Sequence, residues 1–376
     1  MPNANSRSFP HAMLREIYEQ PEAIAATIHA YTQDGKFDAA PWLGVHRVLQ
    51  GHERIVVAAS GSSRHAGLAG EILIEDFSGI AVDVEYASEY CYRSTHTLHN
   101  PAVIVISQSG ETADTLGALR EASSRGLDTI SIANVPGSTM TREASTALIT
   151  RAGTEAAIPA TKSFTTQLTM LYLLAIYAGR MTGRMTVTVA EEHVEQACAI
   201  PTLLTEWIPV WEEQLRTIVS SYATAEAFLF LGRGIHFAIA REGALKLKEV
   251  SYVHAEGYPT GELKHGPNAL VSHGTPLVVL ATCDRNDPDS VLRYSRTLQL
   301  LHDINKQGGN VLAVATEGDR EIGKVSSHCV FVPPVSEYLL PVCEVIPLQL
   351  FSYMIATARG YDVDRPRNLT KAVTVE

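Results

Sequence analysis

Small hydroxyl and amide side chains are concentrated at two points where a predicted strand gives way to a predicted helix. These junctions are residues 60–63 (SGSS) and 107–112 (SQSGET). The first turn of a helix has unpaired backbone N–H groups and the positive end of the helix dipole, so it binds anions. Ordinary helix capping is the structural alternative, because serine and threonine are preferred N-caps. Since two consecutive junctions share the pattern, it favours a phosphate site.

Residues 241–267 (REGALKLKEVSYVHAEGYPTGELKHGP) form a second concentration of reactive side chains. Glu242, Lys246 and Glu249 fall at helical spacing and share one face. They fit either a surface ladder of ion pairs, which contributes little, or a site of proton transfer next to a carbonyl, to which His265 in the following loop is suited. The pattern alone leaves both interpretations open. Lys371, near the C-terminus, is indicated by pattern alone to be an exposed lysine.

Motifs that bind metals or nucleotide cofactors are missing from the sequence. There is no GxxxxGK[ST] or HExxH, and Gly232 and Gly234 lack the third glycine of a dinucleotide fingerprint, because Phe237 takes that place. We therefore predict no metal and no cofactor.

The elements that position these residues alternate between strand and helix, which predicts an α/β fold with doubly wound parallel sheets. The series occurs twice: Gly61 and Gly232 correspond, as do Ile106 and Leu280, at offsets of 171 and 174 residues. The predicted strands are 54–60, 80–87, 102–110, 127–135 and 147–150 in the first copy, and 228–234, 276–283, 308–316 and 328–334 in the second.

From this pattern we predict five segments. They are an N-terminal helical arm (1–36), a first domain (37–180), a helical connector (181–226), a second domain (227–358) and a tail without strand or helix (359–376). We expect Pro201 and Pro209 to break the connector into shorter helices.

Composition excludes several classes of protein. The 376 residues are 45% hydrophobic and 19% charged with a net charge of −11, which is typical of a globular chain and argues against nucleic-acid binding. The most apolar segments, 170–178 and 339–355, are too short or are interrupted by Pro341 and Pro347, so we predict no membrane span. Five cysteines without a CxxC pair, and no signal peptide, indicate the cytoplasm.

Long stretches of the chain, from His11 to Glu376, resemble the isomerase half of the glutamine–fructose-6-phosphate aminotransferase family. The resemblance is carried by HAMLREIYEQPEAI, SQSGETADTL, PATKSFTTQLTMLYLLA, FLGRGIHFAIAREGALKLKEVSYVHAE, GELKHGP and DRPRNLTKAVTVE. It implies two SIS (sugar isomerase) domains, each a five-stranded parallel sheet between helices.

The same resemblance implies roles for individual residues. Glu249 corresponds to the group that moves a proton between sugar C1 and C2, His265 to the ring-opening histidine that reaches the neighbouring site of a homodimer, and Lys371 to the lysine that forms an imine with the ketose. The substrate contacts it implies are Ser63, Ser107, Gln108, Ser109, Thr112, Ile158 and Thr370.

Two departures from the family pattern affect the expected function. Ala160 replaces a serine that contacts sugar, and no glutamine-hydrolysing segment is present in these residues. We therefore expect an isomerase and deaminase that interconverts glucosamine 6-phosphate with fructose 6-phosphate and free ammonia. The alternatives are an isomerase half working in the biosynthetic direction, with ammonia supplied by a separate partner, and a sugar-phosphate-binding regulator without catalysis.

Overall fold

The computed structural model describes residues 7–93 and 100–374, which form an α/β fold with two five-stranded parallel sheets and one short hairpin. The helices are α1 (Ala12–Tyr18), α2 (Gln20–His29), α3 (Ala39–Leu49), α4 (Gly61–Ser78), α5 (Ala87–Tyr90), α6 (Ala113–Ser124), α7 (Thr139–Glu143), α8 (Lys162–Met181), α9 (Val187–Ile218), α10 (Ile235–Ser251), α11 (Pro288–Lys306) and α12 (Leu340–Ala358). The strands are β1 (Thr32–Gln33), β2 (Lys36–Phe37), β3 (Arg54–Ala59), β4 (Ala81–Tyr86), β5 (Ala102–Ser107), β6 (Thr129–Ala133), β7 (Thr146–Ile149), β8 (Ala227–Gly232), β9 (His254–Pro259), β10 (Leu277–Ala281), β11 (Val311–Thr316) and β12 (His328–Val332).

The first sheet has the order β4-β3-β5-β6-β7, with every neighbouring pair parallel. All six residues of its central strand, β5, are buried, because helices cover both faces of a parallel sheet. Strand register places Ala59 opposite Ile106, so the residues that follow β3 and β5 emerge side by side at the carboxyl edge of the sheet. The predicted doubly wound sheet is confirmed, and this edge is where such sheets bind ligands.

The second sheet has the order β12-β11-β10-β8-β9. Counted from its other edge, as β9-β8-β10-β11-β12, it has the same strand order as the first sheet, which confirms two copies of one five-stranded unit. The sequence pattern did not predict its edge strand, β9, which lies in a stretch that we interpreted as an irregular loop. The strand reads HAEGYP, which has no β-branched residue, and it contains Gly257 and Pro259, which an edge strand tolerates. Gly257 is required by packing, since a Cβ atom at this position would lie 2.7 Å from Cα of Arg241.

Two helices contain prolines that do not end them. α9 runs unbroken from Val187 to Ile218 through Pro201 and Pro209, so the expected breaks in the connector are wrong. A continuous buried stripe at spacings of three and four residues explains why the helix persists; it comprises Ala190, Val194, Ala197, Ile200, Leu204, Ile208, Trp211 and Leu215. Packing along this stripe offsets the loss of two backbone hydrogen bonds.

α12 likewise continues through Pro347. Within the described part of the chain it is the one helix long and apolar enough to cross a membrane. However, 94% of that apolar window is buried inside the fold, as in the core helix of a globular domain.

The chain divides into two compact units that do not follow simple sequence order. Unit A, as we name it, comprises Gln20–Glu155, Lys162–Pro201 and Thr370–Glu376, and contains the first sheet. Unit B comprises Met1–Glu19, Ala156–Thr161 and Thr202–Leu369, and contains the second. The C-terminal tail therefore contributes its earlier residues to unit B and its last residues to unit A. The five segment boundaries given above remain a prediction.

Candidate functional site

The loop between β5 and α6 is organised by its own hydroxyl groups. The Oγ atom of Ser107 lies 2.9 Å from Oγ1 of Thr112 and accepts a hydrogen bond from the backbone N–H of Gly110 at 3.1 Å. The Oγ atom of Ser109 accepts from the backbone N–H of Glu111, also at 3.1 Å. These bonds fold the loop tightly over the start of α6, with Ser107, Ser109 and Thr112 clustered there.

Gly110 is the residue that makes this turn possible. Its φ is +68°, a left-handed conformation that glycine adopts without strain. A Cβ atom at this position would lie 2.1 Å from Oγ of Ser138 and would overlap it. The loop therefore requires glycine for both its backbone and its packing.

The two helices that follow β3 and β5 begin without help from a capping side chain. Neither Ser60, the N-cap of α4, nor Thr112, the N-cap of α6, makes a side-chain capping hydrogen bond. Ordinary capping therefore does not account for these two hydroxyl residues. At α6 the first amide, that of Ala113, donates instead to the carbonyl oxygen of Val373 in the C-terminal tail, at 2.9 Å. Ser63, in the first turn of α4, is partly buried.

Lys371 forms an ion pair within unit A. Its Nζ atom lies 2.6 Å from Oε2 of Glu155, whose side chain is fully buried, and 28% of the lysine side chain is exposed. Ser163 donates to the same carboxylate from its backbone N–H, at 3.1 Å, and from its Oγ, at 2.7 Å. Lys371 is thus not the exposed terminal lysine that its sequence pattern indicated.

Glu155 was missed by the sequence analysis, although it lies close before the PATKSF stretch on which the resemblance rests. The local signal was weak, since the sequence shows only a single acidic residue before the apolar run Ala156, Ala157 and Ile158. The partner of its carboxylate, Lys371, is 216 residues further along the chain and cannot be read from local pattern.

The remaining candidate substrate contacts have simple surroundings. The backbone carbonyl of Gln108, a partly buried residue, accepts from the backbone N–H of Asn134 at 3.0 Å. Thr370 is exposed, and its Oγ1 donates to the carbonyl oxygen of Ala372 at 3.2 Å. Ile158 lies in unit B, where its backbone N–H donates to the carbonyl oxygen of Asp364 at 3.0 Å.

Glu249 belongs to a buried cluster of charges on α10. The side chains of Glu242 and Lys246 are 0% and 1% exposed, whereas that of Glu249 is 20% exposed. The Nζ atom of Lys246 lies 2.5 Å from Oε2 of Glu249 and 3.5 Å from Oε1 of Glu242. A surface ladder of ion pairs is therefore the wrong interpretation, because burial of this kind requires that the charges compensate one another.

A pocket of about 450 Å³ opens beside Glu249 within unit B. Its lining includes Tyr252 and, from the tail, Arg367 and Asn368. The guanidinium of Arg367 lies 4.1 Å from the centre of the Tyr252 ring, and the Arg367 backbone N–H donates to the Tyr252 hydroxyl at 3.0 Å. This contact holds the tail against the end of α10, so Glu249 faces a cavity bounded by tail residues.

His265 lies at the end of a 3₁₀ turn that spans Thr260–His265 and is exposed to solvent. Leu263 anchors the turn in the core of the second sheet, and Lys264 pairs with Asp303 at 2.8 Å. The turn thus holds the imidazole at the surface of unit B.

The carboxyl edge of the second sheet has buried charged side chains where the first sheet has clustered hydroxyl groups. His236, in the first turn of α10, lies between two carboxylates: its Nε2 is 3.0 Å from Glu337, and its Nδ1 is 2.8 Å from Glu344. Burial opposes the positive charge, but the two carboxylates outweigh it and raise the pKa of His236 to about 10. Burial likewise opposes the charge of Glu337, yet His236, Ser290 and Arg293 lower its pKa to about 2.

The candidate residues divide between the two units. Unit A brings together the hydroxyl loop, the start of α4 and the end of the tail; its candidates are Ser63, Ser107, Gln108, Ser109, Thr112, Thr370 and Lys371. Unit B holds Ile158, Glu249 and His265.

A family model, that of the SIS domain, matches the chain twice, over residues 49–177 and 221–359. Among curated proteins, the glutamine–fructose-6-phosphate aminotransferase (isomerizing) of Chlorobaculum tepidum is 43% identical over 98% of this chain and 59% of its own length. The enzyme of the same name from Thermus thermophilus is 40% identical over 99% of this chain and 60% of its own length. The chain thus spans about 60% of the length of these relatives.

Solved structures of related name are also similar to this chain. The C-terminal domain of glucosamine-fructose-6-phosphate aminotransferase from Francisella tularensis superposes with a TM-score of 0.88 at 34% identity, covering 96% of this chain and 100% of that domain. A glucosamine-6-phosphate deaminase from Thermotoga maritima has a TM-score of 0.73 at 24% identity, covering 96% and 99% of the two chains, which shows a shared fold.

Proposed function

Because this chain belongs to the SIS-domain family, we propose that it is a sugar-phosphate isomerase that interconverts fructose 6-phosphate and ammonia with glucosamine 6-phosphate. The observation that carries the proposal is the pairing of Lys371 with buried Glu155 in the same unit as the loop 107–112. One compact unit thereby combines an amine able to react with a carbonyl and a set of donors suited to a phosphate.

The phosphate of the substrate is assigned to the carboxyl edge of the first sheet. Ser107, Ser109 and Thr112 supply hydroxyl groups at the start of α6, and Ser63 supplies one at the start of α4. A phosphate at these helix N-termini gains from both the hydroxyl donors and the helix dipoles. The tight turn at Gly110 also lets the backbone approach the ligand closely.

Lys371 is assigned the role of nucleophile. Its neutral amine attacks C2 of the open-chain ketose, and loss of water leaves an imine. The positively charged imine acidifies the protons at C1 and accepts ammonia at C2, which releases the lysine. In the opposite direction the same steps release ammonia from the amino sugar.

Glu249 and His265 complete the proposed reaction. A carboxylate that is partly open to a pocket, like that of Glu249, suits the transfer of a proton between C1 and C2. The exposed imidazole of His265 is assigned to opening the sugar ring in the site of a second copy of the chain, so the proposal includes a homodimer.

Two alternatives use the same family membership. The chain could work in the biosynthetic direction with ammonia delivered by a separate partner; the synthase-like GELKHGP and NLTKAVTVE stretches favour this alternative. It could instead bind a sugar phosphate as a regulator without chemistry. The contact between Lys371 and Glu155 argues against a regulator, because phosphate binding does not require a carboxylate buried against an amine.

The test is an assay of the purified chain in both directions. Ammonia release is measured from glucosamine 6-phosphate, and glucosamine 6-phosphate formation is measured from fructose 6-phosphate with ammonium chloride. We expect turnover in at least one direction, abolished in the Lys371→Ala variant. Binding of both sugar phosphates without turnover in either direction would establish the regulator instead.

A further inference from the structure

We propose that Glu155 is the proton acceptor that converts the ammonium of Lys371 into the reactive amine and then returns the proton to the departing oxygen. The inference rests on the proposed function, since it concerns the step in which Lys371 forms an imine. The contact that motivates it is the 2.6 Å distance between Oε2 of Glu155 and Nζ of Lys371.

Glu155 is held as a carboxylate by its surroundings. Its side chain is fully buried, but it accepts two hydrogen bonds from Ser163, one from the backbone N–H and one from the hydroxyl. Ser163 is the second residue of α8, so the carboxylate also lies at the positive end of that helix. These interactions fix its position and supply the compensation that a buried charge requires.

The contact with Lys371 places Glu155 where it can accept a proton from the ammonium. An ammonium has no lone pair and cannot attack a carbonyl, so the lysine must first give up a proton. Moving one proton across the 2.6 Å contact gives a neutral amine and a neutral carboxylic acid, so the transfer leaves no unpaired charge in the buried site. The carboxylate is already within the distance that proton transfer needs.

The step balances without any further reactant. The N–C2 bond forms as the C2 carbonyl π bond opens, and the second amine proton passes to the former carbonyl oxygen, giving a carbinolamine. The C2–O bond then breaks with the proton from Glu155, and the oxygen departs as water. The nitrogen keeps one proton as the cationic imine, and Glu155 is again a carboxylate.

A purely structural role for Glu155 predicts a different result. If Glu155 only positions the lysine side chain, its replacement by glutamine misplaces the amine and slows the reaction by the same factor at every pH. A proton acceptor predicts a defect that is large at low pH and shrinks at high pH, where solvent removes the proton.

The experiment measures how fast fructose 6-phosphate forms a borohydride-reducible adduct on Lys371. Adduct is counted by peptide mass spectrometry from pH 6 to pH 10 in the wild-type chain and in Glu155→Gln. Glu321→Gln is the matched control, because Glu321 forms an exposed 2.6 Å pair with Lys324. We expect Glu155→Gln to lose about 100-fold in rate at pH 6, to recover most of it by pH 10, and the control to match wild type.

Other results would overturn either the proton-acceptor role of Glu155 or the proposed function. A rate in Glu155→Gln equal to wild type, or reduced by one factor at all pH values, overturns the proton-acceptor role while leaving the imine intact. Absence of any adduct on Lys371 in the wild-type chain overturns the proposed function itself. If Glu155→Gln does not fold, Glu155→Asp replaces it: the shortened carboxylate must slow trapping more at pH 6 than at pH 10, and an unchanged rate or a rate reduced by one factor at all pH values refutes the role.

Discussion

The backbone N–H of Ala113, the first residue of α6, donates a hydrogen bond to the carbonyl oxygen of Val373 at a distance of 2.9 Å. This bond ties the end of the C-terminal tail to the helix that follows the hydroxyl loop. Lys371 is two residues before Val373, so the position of the lysine depends on the same attachment. The loop 107–112 and Lys371 are thereby parts of one local structure in unit A.

Replacing Lys371 with alanine is expected to abolish turnover and the borohydride-reducible adduct while leaving sugar-phosphate affinity within a few-fold of wild type. The reason is that the proposed phosphate donors lie at the start of α4 and in the loop before α6. Adduct formation and equilibrium binding are measured in parallel. Lys324→Ala removes an exposed lysine and serves as the control. Turnover that survives in Lys371→Ala contradicts the imine assignment.

Removing two hydroxyl groups of the loop is expected to weaken substrate binding. Ser109→Ala with Thr112→Ala should reduce affinity by about 1–3 kcal/mol for each lost donor, chiefly as an increase in KM. Ser124→Ala, at the opposite end of α6, removes an exposed hydroxyl and should leave KM unchanged. An unchanged KM in the double variant places the phosphate site elsewhere.

Gly110→Ala is expected to lower the unfolding free energy by more than the strain of the left-handed backbone at Gly110 alone would cause. Gly126 provides the matched control, since its φ of +74° is similar to the +68° of Gly110, but a Cβ atom there would meet no described atom within 4 Å. Gly126→Ala should lose about 1 kcal/mol of unfolding free energy. Gly110→Ala should lose more, because its Cβ overlaps Ser138, and should also raise KM. Equal losses in urea unfolding would show that the overlap is relieved.

Lys246→Met is expected to lower the unfolding free energy by about 3–5 kcal/mol, because it leaves the buried carboxylate of Glu242 without its cation. Lys248→Met, two residues along the same helix but exposed, is the control and should change stability by less than about 0.5 kcal/mol. Chemical denaturation of both variants gives the comparison. A loss in Lys246→Met no larger than in the control would mean that the charge cluster contributes nothing to stability.

The buried pair of His236 and Glu337 predicts a defined pH dependence of stability. The folded pKa of His236, about 10, exceeds its unfolded value, so its contribution is complete below about pH 6.5 and is lost toward pH 10. The folded pKa of Glu337, about 2, is depressed, so its contribution is present above about pH 4.3 and is lost as pH falls toward 2. The pair therefore stabilises most between about pH 4.5 and 6.5.

This dependence is measured by urea unfolding of wild type and of the double variant His236→Asn with Glu337→Gln at pH 5.5 and pH 9. The stability advantage of wild type should shrink at pH 9 by up to about 1.4 kcal/mol for each pH unit above 6.5. An advantage that is the same at both pH values would show that His236 is not charged in the folded chain.

The sequence determined the architecture because strands that are buried on both faces must be continuously apolar. Runs such as those around Val57 and Ile104 therefore reveal a parallel sheet, and their recurrence reveals its duplication. The hydroxyl-rich junctions were also local signals, since strand, loop and helix start are adjacent in the chain. β9 escaped this reasoning because an edge strand is held by one neighbour and tolerates Gly257 and Pro259.

The pairing of the charged residues becomes visible only in the folded chain. Lys371 is an ordinary terminal lysine in sequence and becomes a candidate nucleophile through the resemblance; its contact with Glu155, 216 residues away, becomes visible only in the fold. The sequence around His236, Glu337 and Glu344 likewise shows no distinctive pattern, and their contacts become visible only in the fold. Burial makes an unpaired charge costly, so each of these groups acquires its character from a partner that local pattern cannot identify.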